Sequence, residues 1–222
     1  TCGEDFRRPS IILCNHQSHL DLMCLLMLTP KLIILTNDWV WHSPFYGQLI
    51  RYADFYPVTE GLDRTLEHLR EAKRQGYSIA IFPEGTRSPD CSLLRFRRGA
   101  FFLAEQLNMN LLPVVLHGTG HVLPKQDFML RRGSIHVRVL PRITPADTRF
   151  GTDHIARARQ LRQFYRAEYE ALCRRVETPA YFADLVLHNY IYKGPSVERA
   201  VRHALRQHDN YTAEISALPD SG

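Results

Sequence analysis

One stretch of the sequence, Cys14-Asn15-His16-Gln17-Ser18-His19-Leu20-Asp21, places polar side chains between two apolar runs. The run before it, Ile11 to Leu13, is typical of a buried strand, and the run after it, Leu22 to Leu28, is typical of a buried helix. Catalytic groups of α/β proteins are usually carried at such strand-to-helix junctions. The stretch therefore predicts an α/β fold with a functional site at this turn.

A histidine and a carboxylate in this stretch can meet only under one condition. Within a regular helix, residues five apart point about 140° away from each other, at about 3.6 residues per turn. His16 must therefore precede the helix, and with Ser18 as the N-cap it can fold back onto Asp21 in the first turn. Because Ser18 and Asp21 also have capping-box spacing, a purely structural role for Asp21 remains an alternative at this stage.

Length and composition set the protein class. The 222 residues are 45% hydrophobic and 23% charged, which is ordinary for a globular domain with a substantial core. The five cysteines form no C-x-x-C pair, so we expect neither a disulfide framework nor a zinc ribbon, and a reducing compartment is favoured.

The apolar run 22–28 is far shorter than the roughly 18 residues of a membrane span, and no signal-peptide pattern opens the chain.

The positive charge of the chain is concentrated in one segment. The formal net charge is +5, and residues 131–175 contain eleven arginines, no lysine and four acidic residues. Such an excess indicates an anionic partner, which could be nucleic acid, a membrane surface or a phosphorylated substrate. A solvated helix face is the alternative explanation.

Strand and helix patterns alternate along the rest of the chain. Strands are predicted at 31–36, 53–58, 78–82, 111–116 and 134–140, and helices at 43–52, 62–76, 99–107 and 153–176. This alternation predicts a mostly parallel central sheet with helices on both faces. Pro113 suggests that its strand lies at an edge or contains a bulge.

The pattern changes after residue 178. We expect an α/β domain over residues 1–178, a helical appendage packed on it over 179–216, with a capped helix at 196–207, and a linker over 217–222.

A second polar cluster follows the strand at 78–82. It consists of Pro83-Glu84-Gly85-Thr86-Arg87-Ser88, and a loop with Arg95, Arg97 and Arg98 comes after it. Glycine permits close backbone approach, hydroxyls donate hydrogen bonds and arginines supply charge, which together indicate a phosphate-binding site. The sequence contains neither nucleotide-binding glycine signature, so NTP and dinucleotide are not supported. A loop salt bridge between Glu84 and an arginine is the structural alternative.

A third polar segment, His117-Gly118-Thr119-Gly120-His121, contains paired histidines. No carboxylate or cysteine lies close by in the sequence, so no metal site is predicted.

Taken together, the two clusters resemble the glycerolipid acyltransferase family, which includes the lysophosphatidic-acid and glycerol-phosphate acyltransferases. The family motif N-H-x-x-x-x-D is present as Asn15-His16 through Asp21, and the motif F-P-E-G-T-R-S is present as Phe82 to Ser88. The resemblance continues through Arg97-Arg98-Gly99-Ala100 and Leu112-Pro113-Val114, and covers roughly residues 8 to 145.

This resemblance implies transfer of a fatty acyl group from an acyl thioester, of coenzyme A or acyl carrier protein, to the hydroxyl of a lysophospholipid or related lipid. It implies that His16 is the general base and Asp21 its orienting partner, while Glu84, Gly85, Thr86 and Arg87 bind the acceptor head group. Cys14 is interpreted as a packing residue, and no bound cofactor is expected. The alternatives from other functional classes are a non-catalytic lipid-binding module and a thioester hydrolase.

One motif departs from the family pattern. The family normally places an arginine at the end of the strand after the helix at 43–52, whereas residues 53–60 contain none. Arg51 or the group Arg95, Arg97 and Arg98 could substitute as anion-binding residues, or the acceptor could lack the usual glycerol phosphate.

The resemblance also bears on location and partners. We expect a cytoplasmic protein that is peripheral at the inner face of the membrane, with an anionic membrane surface as a partner and no nucleic acid. The segment after Pro179 looks like the acyltransferase part of certain bacterial chains that join an exporter-like part, an acyltransferase and a methyltransferase. An origin in such a larger chain is therefore an expectation.

Overall fold

The structure is a computed structural model that describes residues 4–36, 55–57, 62–125, 127 and 129–189. The predicted helices at 43–52 and 196–207, Arg51 and the predicted linker at 217–222 lie outside the described residues.

Within the described residues the sheet contains six strands, which we number β1 (Ser10–Cys14), β2 (Leu32–Thr36), β3 (Phe55–Pro57), β4 (Ser78–Ile81), β5 (Asn110–His117) and β6 (His136–Val139). Their order is β3-β2-β4-β1-β5-β6, and every neighbouring pair is parallel except β5 and β6. The prediction of a mostly parallel α/β sheet is therefore confirmed.

Six helices are described: α1 (Leu20–Leu26), α2 (Leu62–Arg74), α3 (Gly99–Leu107), α4 (Thr119–Val122), α5 (His154–Val176) and α6 (Pro179–Asn189). The helices predicted at 62–76, 99–107 and 153–176 are present with ends within two residues of the prediction. Helix α5 begins after Asp153, whose carboxylate accepts hydrogen bonds from the N–H groups of Ile155 and Ala156. Helix α6 forms the first part of the predicted appendage, and the remainder of that division stays a prediction.

The core has two parts, one on each face of the sheet. On one face Leu13 and Leu111 pack with residues of α2, α3 and α5, and on the other Ile12 and Leu112 pack with residues of α1. Successive residues of a strand point to opposite faces, so a strand covered on both sides must be apolar throughout. This explains why the central strands are continuous apolar runs rather than alternating ones.

The edge position inferred from Pro113 is wrong. Strand β5 lies inside the sheet, between β1 and β6. Next to the proline, the hydroxyl of Tyr165 accepts a hydrogen bond from the N–H of Val114 at 3.0 Å and donates to the carbonyl of Leu13. Proline lacks an N–H group, and at this point a side chain from α5 connects the two strands.

The register of the parallel strands decides where the polar clusters meet. Leu13 lies opposite Ile81 in β4 and opposite Pro113 in β5. The chain therefore leaves β1 and β4 at the same edge of the sheet, within a residue of each other. The two clusters predicted from the sequence must lie side by side at this carboxyl edge.

The Tyr165 hydroxyl provides a test of the packing between α5 and the sheet. We expect Tyr165→Phe to lower the free energy of unfolding by about 1–3 kcal/mol, because a buried N–H and a buried carbonyl lose this partner. Urea denaturation monitored by circular dichroism measures the change. An unchanged midpoint would contradict the proposed role of this bridge.

Candidate active site

The centre of the site is a contact between His16 and Asp21. Nδ1 of His16 lies 2.8 Å from Oδ2 of Asp21, so the contact expected from the sequence is present. An ionised carboxylate can only accept, which places a proton on Nδ1 and leaves Nε2 as the unprotonated nitrogen of the neutral ring. The side chain of His16 is 17% exposed, whereas that of Asp21 is fully buried. Asp21 thus orients the ring through Nδ1, while part of the imidazole stays exposed to solvent.

The carboxylate of Asp21 also holds the backbone turn that precedes α1. Its Oδ2 atom accepts hydrogen bonds from the N–H groups of Gln17 at 2.7 Å and Ser18 at 2.8 Å. The N-cap of α1 is His19 rather than Ser18, one residue later than predicted. Asp21 lies in the first turn, where the helix dipole favours a negative charge. The structural and orienting roles considered as alternatives are therefore combined in one side chain.

Two further contacts fix the position of His16. The ring of Phe82, the residue directly after β4, stacks on the imidazole with a centroid distance of 4.0 Å and an angle of 18°. Asn15 connects the end of β1 to β5, because its side-chain amide donates to the carbonyl of Leu116 and accepts from the N–H of the same residue. The histidine loop is therefore attached to both neighbouring strands.

Glu84 has protein partners on both carboxylate oxygens. Oε1 accepts from the N–H of His16 at 2.9 Å, and Oε2 accepts from the N–H of Leu94 at 2.7 Å. The residue is only 4% exposed, and burial raises the pKa of Glu84 to about 7, although these two hydrogen bonds act in the opposite direction. This geometry supports a positioning role, and contact of Glu84 with an acceptor head group stays a prediction.

The next three residues of the second cluster face outward. Gly85 has a positive φ of 70°, and a Cβ atom there would lie 2.8 Å from Nε of Arg97, so the arginine lies over this glycine. Thr86 is exposed and Arg87 is half-buried. Their place beside the histidine loop is fixed by a 2.7 Å hydrogen bond from the N–H of Ser88 to the carbonyl of His16.

The other predicted anion-binding arginines differ in position. Arg97 joins the second cluster, and its N–H also donates to the carbonyl of Pro83 at 2.7 Å. Arg98 is the N-cap residue of α3, and Arg95 is exposed on the preceding loop. The structure therefore brings Arg97 next to Gly85, one of the predicted head-group residues.

His19, which the sequence prediction did not include, adds information on the local charge. Burial, together with the positive charge of Arg87, lowers the pKa of His19 to about 4. His19 is therefore neutral at pH 7. Burial is the main cause of this shift, and the charge of Arg87 adds to it.

Cys14 is unsuited to nucleophilic chemistry. It is fully buried, and burial raises the pKa of its thiol well above the usual range. Because the thiolate is the reactive form of cysteine, this environment supports a packing role.

A metal-compatible group does exist among the described residues, contrary to what sequence spacing suggested. His117, Cys173 and Glu177 offer ligand atoms within 4.8 Å of one another. Nε2 of His117 is hydrogen-bonded to Oε1 of Glu177 at 2.8 Å, and burial raises the pKa of Cys173 to about 12. The cysteine lies in α5 and the glutamate directly after it, far from His117 in sequence, which is why local spacing missed them. The absence of a metal from the functional site stays a prediction.

Sequence reasoning also missed three residues that support or join the site. Tyr169 from α5 holds the loop through a 2.6 Å hydrogen bond from Nε2 of Gln17 to its hydroxyl. Lys125, from the loop after α4, contacts Thr86 and Arg87. Phe82 was recognised only as part of the motif, without its stacking contact to His16. The motif could have indicated Phe82, whereas the two others have no local signal.

The fold and site define a class: an α/β protein with a histidine–carboxylate pair at the carboxyl edge of a parallel sheet, adjacent to a cationic loop. A sequence model of the Acyltransferase family matches residues 3–117. The chain belongs to the Acyltransferase family.

Individual relatives point in the same direction. The chain is 31% identical over 134 residues to a chloroplastic 1-acyl-sn-glycerol-3-phosphate acyltransferase of Arabidopsis thaliana, covering 58% of this chain and 38% of that protein. It is 30% identical over 146 residues to a 1-acyl-sn-glycerol-3-phosphate acyltransferase of Saccharomyces cerevisiae, covering 62% and 48%. The chain thus spans less than half the length of both relatives.

A solved structure shares the fold. The crystal structure of the 1-acyl-sn-glycerophosphate acyltransferase PlsC from Thermotoga maritima matches with a TM-score of 0.63 and 24% identity. The match covers 74% of this chain and 66% of that one.

The buried carboxyl of Glu84 provides a test of the site's electrostatics. Its pKa in the folded protein, about 7, lies above the ordinary value of 4.5, so the folded state binds more protons than the unfolded state between these pH values. The stability that Glu84 contributes is therefore complete below pH 4.5 and is lost as the pH rises through 7.

We expect the free-energy difference between wild type and Glu84→Gln to fall by a few kcal/mol between pH 5 and pH 8, on the order set by the shift. Urea denaturation of both proteins at four pH values measures this difference. Parallel pH profiles would contradict the assigned environment of Glu84.

Proposed function

We propose that this protein transfers a fatty acyl group from an acyl thioester to the hydroxyl of a 1-acylglycerol-3-phosphate or a related lysolipid. The observation that carries the proposal is the 2.8 Å contact between Nδ1 of His16 and Asp21, beside the loop Phe82–Ser88, in a chain of the Acyltransferase family. The names of the relatives support the acceptor. The thioester could be carried by coenzyme A or by acyl carrier protein.

The proposed chemistry uses His16 as the general base. Nε2 removes the proton from the acceptor hydroxyl as its oxygen attacks the thioester carbonyl. When the tetrahedral intermediate collapses, the C–S bond breaks, and the imidazolium returns the proton to the departing thiolate. Histidine can both accept and return a proton near neutral pH, which suits both transfers.

Asp21 would stabilise the imidazolium in this mechanism. Its carboxylate holds the proton on Nδ1, so that Nε2 is the nitrogen that faces the substrate. The N–H groups of Gln17 and Ser18 keep the carboxylate in place, and Phe82 limits rotation of the ring. Glu84 holds the backbone of the same loop through the N–H of His16.

Head-group binding is proposed for Gly85, Thr86 and Arg87. The hydroxyl of Thr86 can donate to phosphate, and the guanidinium of Arg87 can form a charge-assisted pair with it. Arg97, which lies over Gly85, would add a second guanidinium to this side of the site.

The test is release of free thiol from an acyl thioester with and without an added lysolipid. We expect release that depends on the acceptor, together with a new diacyl product detected by mass spectrometry. Release without acceptor would indicate a thioester hydrolase, and no release would indicate a non-catalytic lipid-binding module.

His16→Ala is expected to lower kcat by at least about 10²-fold while the protein remains folded, because general base catalysis typically contributes about 10²–10⁴-fold. A matched control is His68→Ala, which removes an exposed histidine on α2. Cys14→Ala should also retain activity, since its thiol is buried. Full activity of His16→Ala, or a folded but inactive Cys14→Ala, would contradict the mechanism.

We further propose that the site works at an anionic membrane surface, at the inner face of the cytoplasmic membrane. Met129 and Leu130 are 47% and 68% exposed, and the basic residue Arg132 follows them. They belong to the loop that carries Lys125 to the site. Exposed apolar side chains beside basic ones are typical of lipid contact. Among the described residues, no helix has both the length and the apolar character needed to cross a membrane.

The double variant Met129→Ser/Leu130→Ser should bind anionic vesicles at least about tenfold more weakly, because burying one such side chain contributes about 1.5–3 kcal/mol. Vesicle sedimentation at two salt concentrations measures the binding. Ile155→Ser, which removes a 52% exposed apolar side chain from α5, is the matched control. Equal binding by all three proteins would contradict this orientation.

A further inference from the structure

The loop after α4 brings a lysine to the predicted head-group site. Nζ of Lys125 donates to the carbonyl of Arg87 at 2.7 Å and lies 3.3 Å from Oγ1 of Thr86. In return, Nη1 of Arg87 donates to the carbonyl of Lys125 at 3.3 Å. Two cationic residues that are 38 positions apart are thus fixed next to each other.

The charge of Lys125 has no protein counterion among the described residues. The ion pairs found there do not include it, and the neighbouring carboxylate of Asp127 is paired with Arg131 at 2.7 Å. An ammonium group carries three protons, and the two contacts to Thr86 and Arg87 use two of them. One donor therefore remains for a ligand at the half-buried surface of the loop.

The ammonium of Lys125 and the guanidinium of Arg87 belong to the same contact between two loops, so a single anion could accept from both. Burial is the main cause of the lowered pKa of His19, and the positive charge of Arg87 acts in the same direction. A phosphate in front of Thr86 would accept from the threonine hydroxyl, the guanidinium and the ammonium at once. The geometry of the loop therefore matches a dianionic ligand better than a neutral one.

We propose that Lys125 is a further acceptor-binding residue, which supplies the cation that is missing from residues 53–60 and selects phosphate-bearing lysolipids over neutral ones. The inference rests on the proposed function for its substrate. It adds that the preference for a phosphate depends on a residue of the loop after α4, outside the motif that normally provides the cation.

The test compares Lys125→Met, Lys125→Arg and Lys73→Met with wild type, using 1-oleoylglycerol-3-phosphate and 1-oleoylglycerol as acceptors. Lys73 is the matched control, because its Nζ also donates to two protein oxygens, the carbonyls of Leu107 and Asn108, far from the site. We expect Lys125→Met to raise KM for the phosphate acceptor about 10- to 100-fold, as for one charged hydrogen bond. The kcat value, KM for the neutral acceptor and KM for the thioester should change less than threefold.

The charge itself is tested by the conservative variant. Lys125→Arg should restore most of the affinity for the phosphate acceptor, and Lys73→Met should leave both acceptors unaffected. An equal loss with both acceptors would show that Lys125 only holds the loop and would overturn the proposal. Unchanged KM for the phosphate acceptor would overturn it as well.

A binding measurement separates this inference from the proposed function. If wild type transfers no acyl group to either acceptor, the proposed function fails, and titration with dodecyl phosphate and dodecanol still tests Lys125. We expect the dissociation constant for dodecyl phosphate to rise at least about tenfold in Lys125→Met, with dodecanol unaffected. Equal dissociation constants for wild type and variant would overturn the assignment.

Discussion

The buried carboxylate of Asp21 is the constraint on which the site depends. A fully buried charge is costly unless hydrogen bonds compensate it. Here two backbone N–H groups and the ring of His16 all contact Oδ2 of Asp21, whereas Oδ1 has no hydrogen-bond partner among the described residues. These partners can converge only if the chain turns sharply between β1 and α1. The hydrogen bonds to Oδ2 of Asp21 therefore fix the loop, the tautomer of His16 and the side of the ring that faces outward.

The sheet register extends this constraint to the second cluster. Because β1 and β4 end together, Phe82 lies under the ring of His16 and Glu84 reaches the N–H of that residue. Neither contact would survive a shift of one residue, since such a shift exchanges the two faces of a strand. Parallel pairing of two apolar strands thus sets the geometry of polar groups that follow them.

Much of this arrangement could be predicted from local patterns. Buried strands, amphipathic helices and the contact between His16 and Asp21 follow from periodicity and helix geometry, and the structure agrees within a few residues. Pro113 misled the prediction, because proline disfavours interior strands and the compensating Tyr165 lies 52 residues further along the chain. The roles of Lys125 and Tyr169 could not be predicted for the same reason, since only tertiary packing brings these residues to the site.

The letters of the second motif separate into two physical groups. Glu84 is buried and its carboxylate is occupied by backbone donors, whereas Gly85 and Thr86 are exposed at the surface of the site. A residue that must hold a loop needs saturated hydrogen bonds, while a residue that binds substrate needs an available donor. One short motif therefore contains both a residue that holds the loop, Glu84, and residues that are exposed at the site, Gly85 and Thr86. The position of Glu84 depends on the motif itself. The positive charge beside the motif, in contrast, can come from any segment that folding brings close, as Lys125 illustrates.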